Sequence, residues 1–329
     1  HQNMSQDKTE ARIDSIIQLM TLEEKITMIH GASIFKSGEV SRLGIPALVM
    51  SDGPHGVRPE QSFAGSAIQP GEDAATYLPT GICLASTWNK KLGYEYGAVL
   101  GSEAKFRGKD IILGPGVNII RSPLNGRNFE YLSEDPYFNS EMAVGYIKGV
   151  QDQGISACVK HFAGNNQETN RSKVDVIVSE RALREIYLPA FKAAVEKAQV
   201  NSVMGAYNLL NGQYCTHNKV LVNDILKGEF GFDGILMSDW GAVMNSKEAL
   251  LYGTDLEMGT ELVQNPRINY DSFFLAKPAM ALVESGEVSE DLIDDKVRRI
   301  LRIMFRTNMF GKRTPGNLNT AITNSANTI

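Results

Sequence analysis

A chain of 329 residues with 43% hydrophobic side chains can bury a large core, enough for one big α/β barrel or two medium domains, which excludes general disorder. Its 33 basic and 38 acidic residues leave a formal net charge of −5, and neither sign gathers into a long block, so no nucleic-acid or anionic-membrane partner is expected. No uninterrupted apolar stretch reaches the roughly 20 residues that span a bilayer, and the amino end lacks the basic-then-apolar profile of a secretory signal.

At the amino end, Met4 as a native start would make His1, Gln2 and Asn3 a remnant and the protein cytoplasmic. A signal peptide already removed would leave the same residues, with a periplasmic or secreted protein. Helical periodicity runs from Ile13 to Ile29, with Thr21 and Glu24 spaced as a capping box at an internal helix start. A strand-like run, Ala47–Met50, leads into "SDGPHGVR" (Ser51 to Arg58). A second, Ile111–Leu113, leads into "GPGVNIIRSPLNGRNFEYLSEDP", and a third, Ala157–Val159, into "KHFAGNNQETNR". Glu180 to Ala198 reads as one helix with Leu183, Ile186, Tyr187, Ala190 and Ala194 on its apolar face. Strands Ser202–Ala206 and Gly234–Met237 end at "AYNLLNG" and "SDWGA", and a weaker one spans Asp255–Met258. The last helix, Leu292 to Met304, sets Ile293, Val297, Ile300, Leu301 and Met304 against a basic face of Lys296, Arg298, Arg299 and Arg302, which reads as a solvated flank. Beyond Phe310 the sequence is poor in bulky apolar residues and reads as a linker or tail. Cys83, Cys158 and Cys215 sit in apolar surroundings without tight spacing and read as buried free thiols.

Strand and helix alternate at least six times, the pattern of a parallel sheet wrapped by helices, as a barrel or an open sheet. In both, functional groups collect at the carboxyl ends of strands, where loops converge without disturbing the packed layers. Five strand ends here carry charged or hydrogen-bonding residues. There is no Walker lysine loop and no helix-opening GxGxxG after a strand, so no nucleotide cofactor is expected. Asp52, His55, His161 and Asp239 could ligate a metal, but the five histidines are scattered without an HExxH pairing, so none is expected either. Carboxylates, arginines, a Lys-His pair, a tyrosine and a tryptophan suit a polyhydroxylated substrate: planar and point partners for hydroxyls, an aromatic face for the ring. Taken singly, each has a structural alternative. Asp52 before Gly53 and Pro54 makes a turn, Lys160 and His161 a polar rim, Trp240 a packing residue and Tyr207 an ordinary strand residue. Asp239 could cap a helix after Gly241, while Glu130, Glu134 and Asp135 suit loop ion pairs or caps. Lys160 could also serve a Schiff-base aldolase.

The ordered set "SDGPHGVR", "GRNFEYLSEDP", "KHFAGNNQETNR", "GAYNLLNG" and "GILMSDWGAV" resembles the amino-terminal (β/α)8 domain of glycoside hydrolase family 3 β-glucosidases and β-xylosidases, from about Thr21 to Arg306. The resemblance implies a TIM-type barrel over residues 1–310, with room for an irregular or short strand, and a retaining exo-acting β-glycosidase, β-glucosidase foremost. It implies Asp239 as the nucleophile that forms a glycosyl-enzyme. By the same resemblance Asp52, Arg127, Lys160, His161 and Arg171 hold sugar hydroxyls, Tyr207 lies beneath the reacting centre and Trp240 is a stacking platform. A β-xylosidase, or a sugar-binding barrel that is catalytically incomplete by itself, is the alternative.

A retaining glycosidase needs a second carboxyl group, roughly 5 Å from the first, as general acid. None in the chain is convincing, with Glu168 the best internal fallback. In the family's N-acetylglucosaminidase branch a histidine in "KHFPGHG" serves, but here the loop reads "KHFAGNN", with Asn165 and Asn166. In the glucosidase branch a glutamate comes from a second, α/β sandwich domain. Residues 311–329 are accordingly expected to be a linker towards such a domain, or the acid to come from a second chain.

Overall fold

The computed structural model describes residues 2–58, 75–259, 269–314 and 316; most of the expected linker lies outside them. The chain forms two compact units. One comprises Val49–Arg171 and Val178–Val200 with Thr314, the other the residues up to Leu48 with Ser172–Ile177 and Asn201–Arg313. Each is α/β with parallel strands. Among the described residues no helix is long and apolar enough to cross a membrane.

In the Val49–Arg171 unit, strands Met50–Asp52, Ile111–Leu113 and Ser156–Phe162 lie side by side in parallel, Asp52 opposite Leu113 and Ile111 opposite Ser156. Every residue of the last two strands is buried, as befits parallel strands covered on both faces. The first begins at Met50, not Ala47, because the ladder is set by pairing and not by apolarity: Leu48 is already engaged with Ser37, whose Oγ accepts its N–H at 2.9 Å and whose N–H donates to its carbonyl at 3.1 Å. The Ser156–Phe162 strand runs past Val159 and takes in Lys160 and His161. Helix Pro136–Gln151 starts at Asp135, whose Oδ1 accepts the Phe138 N–H at 2.6 Å, with proline in the first turn. The expected single helix from Glu180 is interrupted. A π-helical turn spans Leu183–Tyr187 and a fresh α-helix opens at Pro189, and this wider turn takes Ile186 off the buried face to 40% exposure. Cys83 is exposed, contrary to expectation, while Cys158 and Cys215 are buried.

In the other unit, Ser202–Gly205 and Ile235–Ser238 pair in parallel from Ser202–Ile235 to Gly205–Ser238, and all eight residues are buried. Asp255–Met258 is not a strand. It makes isolated bridges, Met237–Leu256 and His30–Glu257, because the buried Asp255 carboxylate takes the Leu236 N–H at 2.8 Å and Lys227 at 2.7 Å. Thr21 and Glu24 form the expected capping box for helix Leu22–Met28.

Helix Asp291–Arg306 buries Ile293, Val297, Ile300, Leu301 and Met304, each contributing about 1.5–3 kcal/mol of gross hydrophobic stabilisation. Its basic face is not a solvated flank. Lys296 is 2% exposed, and burial pushes its ammonium down to about 7 while Nζ donates to the Ala249 carbonyl at 3.2 Å. Arg299 donates to the Phe232 carbonyl at 2.9 Å, and Arg302 pairs with Glu10 at 2.6 Å and donates to the Asp233 carbonyl at 2.7 Å. Helical periodicity separates apolar from polar faces but does not show which polar face is covered by other backbone.

Candidate active site

The Val49–Arg171 unit gathers a dense set of charges. Asp52 closes its strand, and the next loop doubles back: the Arg58 N–H donates to the Asp52 carbonyl at 3.0 Å and the Ser51 Oγ to the Arg58 carbonyl at 2.9 Å. Gly53, at φ +120°, makes this return, since a Cβ there would fall 1.9 Å from the Gly56 carbonyl oxygen. The structure thus joins the two readings of Asp52. Its Oδ1 accepts the Gly53 N–H at 2.9 Å, as a turn residue does, and the Lys160 ammonium at 2.9 Å. Arg58, three residues beyond His55, adds a guanidinium 3.5 Å from Oδ2.

Burial works against the Asp52 charge, but the Lys160 ammonium and its hydrogen bond, the Gly53 N–H and the Arg58 charge outweigh it and hold the carboxyl at about 2. Lys160 is 3% exposed. Burial pulls its affinity for the proton down, yet Asp52 and Glu130 more than restore it, and the net shift is upward. A Schiff-base lysine needs the opposite, a lowered value that frees the amine, so the aldolase reading has no footing.

His161 is buried, with Nε2 2.9 Å from Arg127 Nη2. Burial, then the charges of Arg127, Lys160 and Arg171, hold its imidazole well below the usual range, so the ring is neutral. Arg127 contacts Glu130 at 2.5 Å and lies 4.0 Å from Glu168, which pairs with Arg171 at 2.7 Å. Glu168 therefore pairs with one guanidinium and lies near a second, the position of an ion-pair partner. Glu130 and Asp135 act as the ion pair and helix cap the sequence suggested.

The other unit carries Asp239, Trp240 and Tyr207. Strand Ile235–Ser238 delivers Asp239 one residue past its end. The Ser238 N–H donates to the Leu256 carbonyl at 2.9 Å, and the Asp239 N–H to the Gly205 carbonyl at 3.1 Å. A tight turn follows: the Ala242 N–H donates to the Asp239 carbonyl at 3.0 Å with Gly241 at φ +77° in the third position, the type II arrangement that favours glycine there. Its N–H is tied to the Met258 carbonyl at 2.8 Å. Asp239 is not a helix cap, because the next helix is Ser246–Tyr252 and its cap is Asn245. Asp239 is 8% exposed, and its Oδ1 accepts the Trp240 N–H at 2.8 Å. Trp240 is only partly buried. Its indole N–H donates to the Ile34 carbonyl at 2.7 Å, its ring meets Phe35 at 5.4 Å between centroids, and its carbonyl accepts the Tyr207 hydroxyl at 3.0 Å.

Sequence reasoning passed over Arg58 and Asn118. Arg58 stands in a quoted motif with no partner assigned; Asn118, whose Oδ1 accepts the His161 N–H at 2.8 Å, lies in "GPGVN", from which no residue is singled out.

Residues 9–303 match the Glycosyl hydrolase family 3 N terminal domain. A β-glucosidase of Bacteroides ovatus is 49% identical over 93% of this chain and 41% of its own length, and thermostable β-glucosidase B of Acetivibrio thermocellus 47% over 89% and 38%. Among solved structures, β-glucosidase 3B of Thermotoga neapolitana in complex with glucose superposes with a TM-score of 0.86 at 40% identity, covering 95% of this chain and 45% of that one. The chain belongs to glycosyl hydrolase family 3. It spans about two-fifths of the length of the curated relatives it matches.

Proposed function

We propose that the protein containing this chain is a retaining, exo-acting β-glucosidase, and that residues 1–310 form a (β/α)8-type barrel contributing the nucleophile and most of the sugar-holding groups. The observation that carries this reading is Asp239: a carboxyl group withdrawn from solvent and fixed by backbone hydrogen bonds on a glycine-dependent turn immediately after a buried strand. A packing role would not call for an acid there.

Asp239 attacks the anomeric carbon as the aglycone departs, giving a β-to-α inverted glycosyl-enzyme. Water then attacks the same carbon, releases the carboxylate and restores the β configuration. Asp52, ionised under any working condition, accepts from sugar hydroxyls, and Lys160, Arg127 and Arg171 donate to them. His161 acts with Arg127. Trp240 offers a ring face to the sugar, and the Tyr207 hydroxyl steadies the turn that carries the nucleophile. The acid that protonates the leaving oxygen comes from a further domain or a second chain, a reading supported by the ion-paired state of Glu168 and by the greater length of the relatives.

The test is hydrolysis by the full-length protein of paired aryl β-glucosides and β-xylosides with good and poor leaving groups. Preference for the glucosides is expected. The chain alone should be slower by about 10²-fold or more on poor leaving groups, the usual worth of a general acid, and least impaired on activated ones. No turnover of any β-glycoside by the full-length protein would refute the reading.

A further inference from the structure

Arginine has no lone pair to offer, so the 2.9 Å contact between Arg127 Nη2 and His161 Nε2 requires Nε2 to be the acceptor and the ring proton to sit on Nδ1. Asn118 Oδ1 at 3.2 Å and the Tyr131 hydroxyl at 3.3 Å face Nδ1. They are not equivalent. A hydroxyl rotates and satisfies either tautomer, accepting from Nδ1–H or donating to a bare Nδ1. The Asn118 amide is not free to turn, because its Oδ1 accepts the His161 backbone N–H at 2.8 Å and its Nδ2 donates to the His161 carbonyl at 2.9 Å. Flipped, it would set N–H against N–H and oxygen against oxygen. Asn118 is 3% exposed, so water does not compete for its amide.

We propose that Asn118 is a positioning residue that reads the backbone polarity of His161 and thereby fixes its ring tautomer, leaving an acceptor that aims the Arg127 guanidinium at the sugar. The inference rests on the sugar-holding role given to Arg127. A wrong tautomer would present Nε2–H to a cation, and Arg127 would be left with only its carboxylate neighbours Glu130 and Glu168 to orient it.

The experiment is a two-bond proton–nitrogen correlation on full-length protein labelled with ¹⁵N-histidine, the His161 signals assigned from the His161→Gln variant, beside KM and kcat for an aryl β-glucoside. The wild type should show a single Nδ1–H tautomer with an uncharged ring at neutral pH. Asn118→Ala should lose that single tautomer and raise KM about tenfold or more, with a smaller change in kcat. Asn118→Asp retains the acceptor but sets a second oxygen against the His161 carbonyl, so it should keep the Nδ1–H form while KM still rises; Tyr131→Phe should keep both the Nδ1–H form and KM, and these decide the matter if the alanine variant does not fold. An Nε2–H ring in the wild type, or a tautomer that follows Tyr131→Phe and ignores Asn118, overturns the proposal. Correct spectra from a protein that hydrolyses no β-glucoside would instead break the functional reading while leaving the control of His161 decided.

Discussion

The two groups of candidate side chains are built on different principles. Around Asp52 and Arg127 the side chains hold one another: lysine on aspartate, arginine on glutamate and histidine, a second arginine on Glu168. Around Asp239 the backbone does the holding, through a strand end and a turn. Two carboxyl groups, one in each unit, shift in opposite directions. In the cation-rich group Asp52 is held at about 2. In the other unit the buried Glu257 is pushed up to about 7, because burial prevails over the N–H groups of Leu275 and Phe274 that favour its charge. Burial raises a carboxyl unless cations answer it, so a binding group that must stay anionic has to be assembled from many positions. A nucleophile needs aim, which a short contiguous segment can supply.

That contrast can be broken in several ways. The largest expected effect is at Asp239: Asp239→Asn should lower turnover on the order of 10⁴-fold or more and leave the thermal midpoint nearly unchanged, since the strand and turn bonds are made by backbone. A large loss of stability would place Asp239 in the scaffold. Next comes an asymmetry within the Asp52–Lys160 pair. Asp52→Ala strands a buried ammonium and should cost about 3 kcal/mol or more, whereas Lys160→Met leaves a carboxylate whose side chain is 35% exposed and should cost about 1 kcal/mol. Denaturant titration of both variants measures the difference; equal losses would mean the pair is not anchored through lysine burial. Gly241→Ala forces a left-handed alanine and should cost about 1–2 kcal/mol, lowering kcat more than it raises KM because it tilts the nucleophile. Unchanged kcat would detach the turn from catalysis.

The smallest effects lie in the pH dependence of stability, where Asp52 and Glu257 should pull in opposite directions. Asp52 binds its proton more weakly folded than unfolded, so its contribution is complete above about pH 4 and is lost as pH falls towards about 2. Glu257 binds its proton more tightly folded, so its contribution is complete below about pH 4 and is lost as pH rises through about 7. Thermal melts of Asp52→Asn should flatten the acid limb, and those of Glu257→Gln the neutral one. A variant that alters the other's limb would contradict the assignment.

Much of this was legible in the sequence where local pattern decides the outcome. The capping box at Thr21, four of the strands, the apolar face of the last helix and the polar strand ends all follow from periodicity and turn chemistry. What stayed hidden depends on distant backbone. Lys296 and Arg299 look solvated until the segments that cover them are in place, and Asp255–Met258 has strand composition but gives its pairing to a buried carboxylate. Cys83 lies in apolar sequence yet is exposed. In the site, motif order singled out Asp52, Arg127, Lys160, His161 and Arg171. Their partnerships were not visible, since the Asp52–Lys160 contact joins residues 108 apart in sequence, and Asn118 carried no signal at all.

The central claim is that Asp239 becomes covalently bonded to the sugar. Incubating the full-length protein with an activated 2-deoxy-2-fluoro-β-glucoside, followed by peptide mass spectrometry, tests it most directly. The account predicts one fluoroglucosyl adduct, on the peptide containing Ser238, Asp239 and Trp240 and lost in Asp239→Asn; an adduct on another carboxylate, or inactivation-free turnover of the same reagent with no adduct anywhere, would contradict it.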